Sequence, residues 1–99
     1  MLDLPAMSPS ETPAATIPDD VLWQELKGEV ILLNLTSQNY FGLDDVGGAM
    51  WRLLAEHKSP QEIVDRLAAV YDVSPEVLGR DLHDLIDKLV SAGLLARQA

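Results

Sequence analysis

The sequence predicts an α+β fold in which three N-terminal antiparallel strands precede three helices. Two observations predict it. Val21 to Leu35 carries period-two apolar patterning broken by Lys27-Gly28, and the rest of the chain contains two helix starts of the form Ser-Pro followed closely by Glu. A length of 99 residues fits one small domain.

Residues 1–18 stand apart and are expected to form a flexible tail, with the domain occupying residues 19–99. Four of the six prolines fall in that stretch (Pro5, Pro9, Pro13, Pro18), which removes backbone donors. Few large apolar groups are present there to offset ordering entropy. From Val21 the pattern changes. Val21 to Leu26 alternates loosely, and Lys27-Gly28 offers a tight turn because glycine tolerates positive φ. In the next strand Val30, Leu32 and Asn34 share one face and Ile31, Leu33 and Leu35 the other. Thr36 to Asn39 reads as a turn, and Tyr40 to Leu43 as a short edge strand.

Asp44 or Asp45 can cap the first helix, in which Val46, Met50, Leu53 and Leu54 recur at helical spacing with Trp51 on the flank. Ser59, Pro60 and Glu62 form a capping box for the second, whose apolar stripe is Ile63, Leu67 and Val70. Ser74-Pro75-Glu76 repeats the signal, and the third helix runs to about Ala92 before Gly93 ends it. On this helix Leu78, Leu82, Leu85 and Leu89 form a stripe widened by Ile86 and Val90 on the core side. Val77, Asp81, Asp84 and Lys88 lie on the other side, where Asp84 and Lys88 are spaced to pair.

Composition excludes several functions. A net charge of −9, with seven Lys and Arg scattered among sixteen acids, argues against a polyanionic partner such as nucleic acid and favours a peptide carrying Lys or Arg. The absence of cysteine removes thiolate nucleophiles, disulfides and sulfur-based zinc sites. His57 and His83 are too few for a metal centre, Ser59 and Ser74 are explained as caps, and Gly47-Gly48 matches no phosphate loop. No apolar run approaches the roughly 20 residues of a membrane helix, and no basic start leads into a secretory signal. The expectation is a cytoplasmic protein with no catalytic site, no cofactor and no metal.

The stretch Tyr40-Phe41-Gly42-Leu43-Asp44-Asp45-Val46-Gly47-Gly48-Ala49-Met50-Trp51-Arg52-Leu53-Leu54, and the later Asp81-Leu82-His83-Asp84-Leu85-Ile86-Asp87-Lys88-Leu89 with its closing Gly93-Leu94-Leu95, resemble the PqqD-like family. The resemblance spans about Val21 to Leu95. It implies a winged helix-turn-helix-like fold and a non-catalytic recognition element for ribosomally made, post-translationally modified peptides. In that family the leader of the precursor peptide adds as a strand against the third strand, in a groove walled by the third helix. The Tyr-Phe-Gly-Leu-Asp stretch is most similar to the lasso-peptide group, which implies a leader peptidase and a cyclase as partners. The alternative within the family is a peptide chaperone of quinone-cofactor synthesis working with a radical SAM enzyme. Carried onto this chain, the peptide-binding residues are Tyr40, Phe41, Gly42, Leu43, Val77, Asp81, Asp84, Leu85 and Lys88. Two readings compete with this one. The last two helices of a winged-helix regulator could enter a DNA groove, although Glu76, Asp81, Asp84 and Asp87 would repel phosphate. A homodimer could also form by pairing of the exposed strand edge.

Overall fold

The computed structural model describes residues 14–97, and residues 1–13 and 98–99 lie outside the description. Elements follow in the order β1 (Ala15–Thr16), β2 (Val21–Leu26), β3 (Glu29–Asn34), β4 (Tyr40–Leu43), α1 (Asp45–Ala55), α2 (Pro60–Val70), α3 (Pro75–Ser91) and β5 (Ala96–Arg97). The α+β class and its strand-then-helix order are those expected, with two short strands added at the ends.

The sheet is an antiparallel meander in the order β2-β3-β4. Lys27 and Gly28 both take positive φ, 52° and 85°, which is the type I′ pattern that matches the right-handed twist of a hairpin. This two-residue loop sets Leu26 opposite Glu29, and the ladder runs unbroken to Val21 opposite Asn34. The inward face of β3 is then Val30, Leu32 and Asn34, all buried, as the alternation predicts. Trp51 seals this face from α1. It is fully buried rather than flanking, and it meets Trp23 of β2 edge-on with ring centroids 6.1 Å apart. Periodicity within α1 leaves it on the flank because its burial comes from a contact with another element, Trp23 of the sheet. Gly48 allows that approach, since a Cβ there would lie 3.0 Å from Val30 Cγ2.

The helix starts follow the sequence signals. The side chains of Asp44, Ser59 and Ser74 accept from the amides of Gly47, Glu62 and Val77. The capping box of α2 is one-sided, because the Glu62 carboxylate turns to Arg66 at 2.9 Å and Lys58 at 3.9 Å. Ile63 and Leu67 are buried, but Val70, the last residue of α2, is 75% exposed. Leu78, Leu82, Ile86 and Leu89 carry α3 into the core, and beyond Gly93 (φ 76°) Leu94 and Leu95 fold back into it. No helix among the described residues is long and apolar enough to cross a membrane.

One buried amide joins the two halves. Asn34 donates from Nδ2 to the Gly93 carbonyl at 2.6 Å, and its Oδ1 accepts from the Thr36 and Ser37 amides at 2.9 Å each. The inward alternation of β3 therefore ends on a polar group that orders the β3–β4 turn and clamps it to the end of α3.

The expected tail boundary needs correction. Residues 14–18, assigned by composition to the tail, belong to the folded body: Ala15 pairs with Arg97, Thr16 with Ala96, and Ala15 is buried. The Ala14 amide donates to the Lys58 carbonyl at 3.2 Å and Ile17 packs on the core. A pairing across some eighty residues leaves no local compositional mark. The part of the expected tail at 1–13 lies outside the described residues.

Two outcomes test these contacts. Asn34→Ala leaves two turn amides and one carbonyl without their partner, and should cost about 2 kcal/mol in urea unfolding. A chain beginning at Asp19 should be less stable by about 1–3 kcal/mol than one beginning at Ala14, with the same far-UV spectrum.

Candidate peptide-binding site

The backbone parity of β4 follows from the turn before it. The Asn34 amide donates to the Asn39 carbonyl at 2.8 Å, so along the β3–β4 ladder Leu32 with Phe41 and Val30 with Leu43 are the hydrogen-bonded pairs. Tyr40 and Gly42 consequently aim their N–H and C=O groups away from β3, toward the outer edge of the sheet. No other described strand pairs with that edge. Side chains alternate with the same period. Phe41 and Leu43 turn to the helix side, while Tyr40, 77% exposed, and Gly42 lie on the opposite face.

Beside this edge runs a cleft of about 260 Å³ between α3 and the start of α1. Asp81, Asp84, Leu85 and Lys88, one face of α3, form one wall. Asp44, Val46, Gly47 and Met50 form the other. Leu85 is half-buried and Met50 buried, so the floor is apolar. Asp44, Asp81, Asp84 and Lys88 are exposed and make a charged rim with an excess of negative charge. Lys88 does not pair with Asp84. Its Nζ lies 5.9 Å from the centre of the Phe41 ring, joining the α3 wall to β4 by a cation–π contact. Phe41 reaches Lys88 because its side chain lies on the helix side of β4.

Of the expected residues, Tyr40, Phe41, Gly42 and Leu43 form the edge strand, and Asp81, Asp84, Leu85 and Lys88 line the cleft. Val77 is not part of the lining. It is half-buried in the first turn of α3, where Ser74 caps its amide. The α1 wall escaped the sequence reading. Val46 and Met50 read as core and Asp44 as one of two possible caps, of which the structure uses Asp44, and only the packing of α1 near α3 turns the same residues toward a cleft. Asp44 does both tasks, accepting from the Gly47 amide at 2.9 Å while facing the cleft. Behind this wall the Tyr71 hydroxyl donates to Asp45 Oδ1 at 3.1 Å and ties the end of α2 to the start of α1. Removal from water, and then the hydrogen bond and negative charge of Asp45, push the Tyr71 phenol above its ordinary value.

The family model for coenzyme PQQ synthesis protein D (PqqD) matches residues 29–95. The chain belongs to the PqqD family. Among solved structures, this PqqD-family protein is similar to TbiB1 in complex with the TbiA(beta) leader peptide, at 43% identity and a TM-score of 0.80, covering 85% of this chain and 98% of that one. It also shares its fold with a lasso peptide synthetase B1 complexed with the leader peptide, at 21% identity and a TM-score of 0.77, covering 83% and 96%. No curated protein gives a match.

Hydrogen exchange tests the parity. In the isolated protein the Tyr40 and Gly42 amides should exchange faster than those of Phe41 and Leu43, by a factor of about 100 or more. Equal protection along β4 would show that the edge is already satisfied.

Proposed function

We propose that this PqqD-family protein is a non-catalytic recognition element that binds the leader of a ribosomally made precursor peptide and presents it to the enzymes of lasso-peptide biosynthesis. The observation that carries the reading is the unpaired edge of β4 opening onto the α3 cleft. An extended peptide laid along β4 satisfies the Tyr40 and Gly42 backbone groups, and it does so whatever its sequence. Alternate side chains of that strand then point toward the cleft beside Phe41 and Leu43. There Leu85 and Met50 receive apolar groups, and Asp81, Asp84 and Lys88 select charge. Backbone pairing supplies affinity and the cleft supplies specificity.

The 43% identity to a protein solved with a leader peptide supports the same use of the fold here. A leader peptidase and a cyclase, rather than the radical SAM enzyme of the quinone-cofactor alternative, are the processing partners that the resemblance of Tyr40 to Asp44 to the lasso-peptide group implies. The acidic outer face of α3 (Glu76, Asp81, Asp84) is unsuited to a DNA groove.

Fluorescence anisotropy with a labelled leader peptide from a neighbouring precursor gene tests the proposal. Binding is expected at about micromolar affinity or tighter. Lys88→Glu and Asp81→Lys, both at exposed positions, should each weaken it by about tenfold or more while leaving the thermal midpoint in place. If both fold and bind like the parent, the cleft is misassigned. If the parent binds no leader at all, the function is.

A further inference from the structure

The opposite border of the sheet is also unpaired among the described residues. Its parity is set at both ends of β2. The two-residue turn makes Leu26 and Glu29 a hydrogen-bonded pair, and the Leu35 amide donates to the Asp20 carbonyl at 2.8 Å in the same ladder. Leu22, Gln24 and Leu26 therefore bond to β3, and Trp23 and Glu25 aim their N–H and C=O groups outward. Natural edges are guarded by proline, by charged side chains, lysine above all, or by a bulge. Val21–Leu26 has no proline, lysine or bulge in an unbroken register, and its one charge, Glu25, is held by Arg52. The side chains flanking the edge are apolar and wet, with Leu22 54% and Leu26 52% exposed.

We propose that β2 pairs antiparallel with β2 of a second copy of this chain, Gln24 lying on the two-fold axis, so that two sheets join into one. The register follows from parity, because outward-pointing residues must meet outward-pointing residues. Trp23 opposite Trp23 would set Leu22 against Gln24 and Leu26 against Asp20. Glu25 opposite Glu25 would set like charges together. Trp23 opposite Glu25 avoids both faults. It places Leu22 on Leu26 of the other copy twice over, and Gln24 against its twin where the amides can hydrogen-bond. Only this register covers both exposed leucines, Leu22 and Leu26, with leucine, and that self-complementarity points to a second copy of this chain as the occupant. The contact lies across the sheet from β4, so it leaves the proposed leader edge open.

Two short strands bury less than a standard interface, so association should be weak, with a dissociation constant on the order of 10–100 µM. It should also strengthen with salt, because each copy carries a net charge of −9. Sedimentation equilibrium of the full chain from about 5 to about 500 µM reads this directly. The expected result is a rise toward twice the monomer mass, unaffected by Tyr40→Lys on the far edge. Leu22→Lys should weaken it at least about tenfold with an unchanged thermal midpoint. Glu25→Pro, which removes an outward amide and no bond within the sheet, should do the same. A monomer throughout that range overturns the proposal. So does a dimer that Leu22→Lys leaves intact, or one that Tyr40→Lys abolishes.

Discussion

The register of the β2–β3 hairpin is the constraint on which the rest of the molecule depends. Lys27 and Gly28 make the shortest loop that a right-twisted hairpin accepts, and that loop fixes which residue opposes which. Because strand side chains alternate, a slip of one residue would turn Val30 and Leu32 outward and Ile31 and Leu33 inward. The same alternation governs the backbone. It reaches β4 through the bond between Asn34 and Asn39, and it decides that Tyr40 and Gly42, rather than Phe41 and Leu43, hold their hydrogen-bonding groups toward open space. One turn thus settles both the core and the character of each sheet edge.

Against that sheet α3 serves two environments. Its Leu78, Leu82, Ile86 and Leu89 are committed to the core, which holds its axis and leaves Asp81, Asp84 and Lys88 as a rigid wall. Asn34 reinforces this by binding the Gly93 carbonyl just past the helix end, so that the strand turn and the helix move together. The short β1–β5 ladder tethers the chain beyond α3 on another side, and Arg97 bridges to Asp87 from there. A cleft held by core contacts on one side and by a sheet edge on the other is preorganised, which would lower the entropic cost of the proposed peptide binding.

Charge divides the labour differently from shape. The excess of carboxylates disfavours polyanions and leaves the cleft rim net negative, with Lys88 its one cation among the lining residues. That cation rests on an aromatic ring rather than on a neighbouring acid, so the Asp84 carboxylate has no ion-pair partner among the described residues and is exposed. If the proposed leader enters the cleft, its side chains meet three acids and one cation, a combination able to read charge as well as size.

Much of this was legible in the chain itself, because it rests on short-range rules. Helix starts at Ser59 and Ser74, the turn at Lys27-Gly28, the alternating faces of β3 and the stripe of α3 all depend on residues within a few positions of one another. The four-residue edge strand and the α3 rim were readable for the same reason. Four matters were decided only by tertiary structure. They are the burial of Trp51, the inclusion of Ala15 and Ile17 in the folded body, the second cleft wall from Asp44, Val46 and Met50, and the choice of Phe41 over Asp84 by Lys88. Each rests on an angle or a pairing between elements distant in sequence. Local periodicity specifies which face of an element is apolar, but not what that face will meet.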